Sequence, residues 1–227
     1  MKPQIRSEYN GKGYVYAASA ADIARDTGFE KIARLASNEN PFEPAPEIQK
    51  AAALALSDIN RYPDPPSAKL RAAIRKHIYD APVVVSGSGM DGVIETVIRV
   101  IVSPGDTVAV AAPAFSVYGL AAKAASANIV NIPSREDFTI DIDLFIEKAR
   151  TAKLSFLCTP NNPTGTTVPA AEVKRILENI EGFLFLDCAY IEFADEDYYS
   201  LLSAENLIIG RTLSKVYGLA GLRIGSA

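Results

Sequence analysis

From residue 82 onward the chain alternates short apolar runs with longer segments of helical period. The runs are 83–86, Thr107–Ala112, 127–132, Leu154–Cys158, Phe183–Asp187, 207–211 and 222–227. Helical patterns at 90–102, 115–125, 141–150 and 169–180 stand between the earlier runs. Each run is apolar without alternating polarity, which predicts strands covered on both faces. Strands that alternate with helices predict an α/β fold around a mostly parallel sheet. Local signals agree. Pro169 suits a first helical turn, Asp141 stands at a helix start, and Ser-Pro-Gly-Asp at 103–106 is turn chemistry.

Residues 1–45 follow another pattern. They are polar, show no clear period, and run into Ser-Asn-Glu-Asn-Pro-Phe-Glu-Pro-Ala-Pro at 37–46. They read as an arm laid over a domain that occupies 46–227. Within that domain, helices at 47–56 and 67–79 flank the turn-rich Arg-Tyr-Pro-Asp-Pro-Pro of 61–66. The last run, 222–227, has no following helix to cover it, so the sequence reads as a domain core without its C-terminal continuation. No internal repeat interrupts this organisation.

Composition removes several classes of function. The 227 residues are 48% hydrophobic and 22% charged, with a net charge of −4, the balance of a folded, water-soluble domain. A mildly acidic chain has no basic footprint for nucleic acid or for an anionic membrane. No apolar stretch approaches the roughly 18 residues of a membrane span, and the N-terminus lacks the apolar core of a secretory signal. Two cysteines make no disulfide framework and favour a reducing, cytoplasmic setting. The single histidine, His77, gives a His-based zinc site or a Ser-His-Asp triad little to build on and reads as a surface or packing residue.

Candidate chemistry gathers where the strands end, which is where ligands bind in open α/β sheets. After 83–86 comes Gly87-Ser88-Gly89-Met90-Asp91-Gly92, a glycine-rich turn whose amides open a helix and could hold an anion. A dinucleotide fingerprint would also need an acid ending the second strand, about 20 residues on. That strand ends Ala111-Ala112-Pro113, so a plain turn or another phosphate remains. After Leu154–Cys158 comes Thr159-Pro160-Asn161-Asn162-Pro163-Thr164-Gly165, a dense turn that offers the Asn162 amide. Asp187 closes four apolar residues. It is either a helix N-cap or a partly desolvated carboxylate in need of a cation. Lys215 and Arg223 follow the run at 207–211. One sheet edge thus collects a phosphate cradle, an amide, an acid and an amine, the equipment for a cofactor with a phosphate, a cationic ring nitrogen and an aldehyde.

Six segments carry a family resemblance. They are SNENPF (37–42), RYPD (61–64), GSGMDG (87–92), NNPTG (161–165), DCAY (187–190) and RTLSKVYGLAGLRIG (211–225). In this order they resemble the class I/II aminotransferases of pyridoxal-phosphate (PLP) fold type I, nearest to the histidinol-phosphate aminotransferase group. The resemblance implies a three-layer α/β/α large domain with a mostly parallel seven-stranded sheet, its last strand antiparallel. It implies PLP as cofactor, with Lys215 bonded to its aldehyde and Asp187 paired with its ring nitrogen. Tyr190 and Asn162 then reach the ring oxygen, and Phe115 stacks on the ring. Met90, Asp91, Thr212, Ser214 and Arg223 serve the phosphate, joined by Tyr62 from the other subunit of a homodimer. The implied substrates are amino acids, or histidinol phosphate, and 2-oxo acids.

Three departures from the family pattern stand out. Cys188 replaces a common Glu, Gly92 replaces an acidic residue, and the family's C-terminal small domain, which holds the substrate carboxylate, is absent from these 227 residues. A decarboxylase of a phosphorylated amino acid, or a non-catalytic PLP-binding fragment, is the alternative. Cys158 and Cys188 read as small cleft residues. Tyr14 and Tyr16 belong to a covering arm or a disordered one. Arg6, Arg25 and Arg34 are the arm's candidates for holding a carboxylate.

Overall fold

A computed structural model describes residues 5–9, 18–33, 35–65, 67–82 and 86–227. Tyr14, Tyr16, Arg34 and most of the run at 83–86 lie outside them. The seven strands are β1 (Ser86–Ser88), β2 (Thr107–Ala112), β3 (Asn128–Pro133), β4 (Leu154–Cys158), β5 (Phe183–Asp187), β6 (Leu207–Thr212) and β7 (Ile224–Ser226). Across the sheet they run β1-β7-β6-β5-β4-β2-β3. Strands β3, β2, β4, β5 and β6 are parallel, and β7 is antiparallel to both β6 and β1. The chain order reverses between β2 and β4, so a crevice opens at their carboxyl ends.

Strand alternation builds two cores from one sheet. Ala109, Ala111, Leu157, Leu184, Leu186 and Ile209 face one side, where α6 (Ile142–Ala149) and α7 (Ala170–Asn179) cover them with Phe145, Val173 and Ile176. Val108, Val110, Leu154, Phe156 and Phe185 face the other, under α4 (Gly89–Ile101) and α5 (Val117–Ala124). Helix α4 places Met90, Val93, Ile94, Val97 and Ile98 against the sheet at helical spacing. The three-layer α/β/α architecture expected from the sequence is therefore present.

The structure corrects one expectation and adds to another. The arm reads as irregular in sequence, yet 18–28 holds α1 (Ala20–Thr27). Ser19 caps it by accepting the Asp22 amide at 3.1 Å, and Gly28 ends it at φ 75°. The helix is eight residues long and buries none of them, so no apolar stripe announces it. As expected, no helix follows the run at 222–227, but an earlier helix covers one of its faces. Residues 220–222 form a 3-10 turn, and the short β7 has the first turn of α4 on one face. A Cβ on Gly225 would sit 2.6 Å from the Gly89 backbone, so the missing side chain permits that approach.

The helices at 47–56 and 67–79 are α2 (Pro46–Ala55) and α3 (Ala68–His77). Helix α2 buries no residue, and Ile48, Leu54, Leu56, Ile59 and Tyr62 in and after it are exposed. His77 is exposed at the end of α3. Among the described residues no helix is long and apolar enough to cross a membrane.

Candidate active site

The first turn of α4 supplies one wall. Gly89 enters the helix at φ 70° and donates its amide to the Arg223 carbonyl at 2.6 Å. The Arg223 guanidinium lies where a Gly89 side chain would project, and its Nη2 stands 3.3 Å from Asp91 Oδ2. Helix start and arginine thus make one cationic corner suited to an anion. Thr212 and Ser214 continue it. The Thr212 hydroxyl accepts the Ser214 amide at 3.1 Å and lies 2.9 Å from Ser214 Oγ.

Asp187 forms the floor, 3% exposed at the end of β5. Its Oδ1 accepts the Ala189 amide at 3.0 Å, and its Oδ2 accepts the Tyr118 hydroxyl at 2.5 Å. Burial pushes its carboxyl above the usual carboxylate range, partly opposed by these donors and by the positive charge of Lys215. Among the described residues no cation lies within ion-pair distance of it. Tyr118, fully buried, stacks on Phe156 at 4.7 Å and meets Phe115 edge-on at 5.8 Å. Burial, then the Asp187 charge, hold its phenol well above the ordinary range, so it remains a donor.

Lys215 approaches from the loop after β6. Its Nζ donates to the Ser37 carbonyl at 2.9 Å and lies 5.6 Å from the centre of the Tyr190 ring. Burial lowers its ammonium below the usual lysine range, against the raising effect of Glu39 and Asp187, which favours a free amine. The Tyr190 hydroxyl accepts Asn38 Nδ2 at 3.1 Å, and Asn40 Nδ2 donates to the Val216 carbonyl at 3.0 Å. The segment 36–40 therefore straps the mouth of the pocket.

These walls enclose about 920 Å³, lined among others by Met90, Asp91, Phe115, Asn162, Tyr190 and Lys215. Every site residue expected from the sequence lines it except Tyr62, which is fully exposed. Asn161, beside Asn162, holds the surrounding loops together, because its Nδ2 ties the Pro113 carbonyl to Thr164 Oγ1, both at 2.9 Å. Cys158 and Cys188 are buried free thiols. Desolvation pushes both upward, so neither is a ready nucleophile. Among the described residues no His, Cys, Asp and Glu group is placed to hold a metal ion. Sequence reading misses Tyr118, whose position in α5 looks like ordinary core, and it misses the pocket contacts of Ser37 and Asn38.

A pocket with an anion corner, a buried acid and an amine, placed at the switch point of this sheet, has counterparts among known proteins. Residues 30–227 match the family described as aminotransferase class I and II, and the chain belongs to that family. It is 61% identical over its whole length to a histidinol-phosphate aminotransferase of Methanocorpusculum labreanum and 54% identical to one of Methanoculleus marisnigri. It spans 65% of the length of each of these relatives. The crystal structure of histidinol-phosphate aminotransferase from Sinorhizobium meliloti in complex with pyridoxal-5'-phosphate superposes with a TM-score of 0.86 at 27% identity. That match covers 100% of this chain and 63% of the other. These names favour amino transfer and lend no support to a decarboxylase.

Proposed function

We propose that the pocket binds PLP and that the protein transfers an amino group between histidinol phosphate, or an amino acid, and a 2-oxo acid such as 2-oxoglutarate. One observation carries the reading. Asp187 is a buried carboxylate with no cation at ion-pair distance among the described residues, and it faces a cavity that also holds the depressed amine of Lys215. A group with a protonated ring nitrogen at one end and an aldehyde at the other fits both needs. The α4 corner fits the phosphate, with Arg223 supplying a planar fork of charged donors. When bound, PLP supplies an electron sink for the pair left as the Cα–H bond of an amine substrate breaks.

The chain's own groups do the rest. Asp187 holds the ring nitrogen's proton, and Tyr118 keeps that carboxylate oriented. Tyr190 and Asn162 would hold the ring oxygen, and Phe115 would pack against the ring. Lys215 would hold the aldehyde carbon, and its amine is placed to carry a proton from the substrate Cα. The strap at 36–40 excludes water from that exchange.

The assembly proposed is a homodimer in the cytoplasm. Leu54, Leu56, Ile59 and Tyr62 are each exposed, and a second copy seated over this segment would bring Tyr62 to its neighbour's phosphate corner.

Borohydride reduction of the PLP-loaded chain tests the reading. Peptide mapping is expected to place the fixed cofactor on Lys215, with Lys215→Ala unlabelled. Labelling of other lysines at equal yield would refute it. Turnover is then tested with histidinol phosphate and 2-oxoglutarate in a protein of the relatives' full length.

A further inference from the structure

A second polar cluster lies on the far face of the sheet. Alternation along β6 sends Thr212 into the pocket and Arg211 to the opposite side. There the Arg211 side chain, 5% exposed, pairs through Nη2 with Glu192, whose side chain is 21% exposed. Its Nη1 donates to the Tyr199 hydroxyl. The Tyr199 ring stacks on Tyr79 at 5.5 Å, and the Tyr79 hydroxyl lies 3.4 Å from Ser226 Oγ in β7. Tyr217 faces the same pair. Burial, then the Glu192 charge, hold its phenol above the ordinary range.

The sequence positions are informative. Glu192 follows Tyr190 by two residues, Tyr217 follows Lys215 by two, and Arg211 immediately precedes Thr212. The cluster grips the backbone on both sides of the pocket lysine and just beyond the pocket tyrosine. Stability alone is a poor account of it. Removing two charges from water offsets most of their attraction, and apolar side chains of like volume would hold these segments as firmly. Arg211 Nε even lacks a partner among the described residues. What arginine adds is direction, because its planar fork fixes the angle at which two segments meet.

Resting on the reading that PLP bonds to Lys215, we propose that the Arg211–Glu192 pair is a positioning device that holds Tyr190 and Lys215 in register from behind the sheet. Neither residue reaches the bound group. Their effect passes through the 190–193 turn and the loop after β6. A Tyr190 hydroxyl held at the ring oxygen competes there with the proton on the Lys215 nitrogen. If the tyrosine drifts, that proton is held more tightly and the nitrogen titrates at higher pH.

The test compares the wild-type chain with the double variant Arg211→Met/Glu192→Leu, which keeps volume and removes both charges. Three readouts are taken: thermal unfolding, the pH titration of the visible absorbance of the Lys215-bound cofactor, and hydrogen exchange of amides 213–218 in the cofactor-free chain. We expect unfolding close to wild type and a titration midpoint raised by about half a pH unit or more, the size of one weakened hydrogen bond. Exchange across 213–218 should be faster. An unmoved midpoint overturns the proposal, whether or not the unfolding temperature falls. Should the double variant fail to fold, Glu192→Gln takes the same titration, and a shift supports the proposal while none overturns it. Failure of borohydride to fix PLP on Lys215 in the wild type would count against the cofactor reading instead. The exchange readout needs no cofactor, and unchanged exchange at 213–218 would then overturn the positioning role by itself.

Discussion

The Tyr118 phenol donates to Asp187 Oδ2 at 2.5 Å, and both side chains are sealed from solvent. Tyr118→Phe deletes this donor and leaves the ring stacked on Phe156. The Asp187 carboxyl then rises further, so it is more often neutral and must be ionised before it can face a protonated ring nitrogen. PLP affinity is expected to fall about 10- to 150-fold, the effect of one buried hydrogen bond to a charged group. Equilibrium titration by absorbance checks it. An unchanged Kd would reduce Tyr118 to packing.

Asp187 makes the stability of the cofactor-free chain depend on pH. Its folded carboxyl is raised from 3.8, so its stabilising contribution is full below 3.8 and is lost as pH climbs through the raised value. Asp187→Asn removes that loss. Without PLP, the variant should gain stability over wild type between about pH 4 and 7, read by urea unfolding at the two pH values. With PLP the order should reverse, because the wild type acquires the cation it lacks.

Gly225 marks the tightest approach of β7 to the phosphate corner. A methyl there would meet Gly89 at 2.6 Å and the Met90 amide nitrogen at 2.9 Å. Gly225→Ala is expected to destabilise by about 1–3 kcal/mol and to weaken PLP binding as the start of α4 is displaced. Gly221→Ala, with open space around it, is the control and should be near neutral.

Tyr62 is tested by complementation. A Lys215→Ala chain mixed with a Tyr62→Phe chain should form heterodimers in which one of the two sites carries neither lesion. PLP affinity in the mixture should then exceed that of both parents. Heterodimers that form without this gain would confine Tyr62 to its own subunit or remove it from the site.

Most of the sheet is legible because β2, β4, β5 and β6 bury both faces, so their apolar runs stand out against the turns. Strand β1 is different. It is Ser-Gly-Ser where it is described, and it pairs with β7 without any apolar side chain, so the apolar pattern does not mark those three residues. At the pocket, Lys215, Asp187 and Asn162 can be found because each follows a strand that reads clearly. Tyr118 cannot, since a tyrosine at core spacing in α5 looks like any other. Ser37 and Asn38 reach the pocket across the whole length of the domain, a distance no local pattern encodes.

The pairing of β1 sets the order in which the sheet can be completed. Ser86 finds its partner in Ser226, so the strand that leads into α4 has no neighbour until residues 224–226 have been synthesised. The parallel strands β2 to β6 can assemble earlier, as each meets a neighbour close in the chain. Contacts of such long sequence separation form late and slowly. The corner between α4 and Arg223, proposed for the phosphate, thus closes later during synthesis than the α6–α7 layer behind the sheet. A nascent chain would pack the far layer of its sheet before it has the proposed place to receive a cofactor.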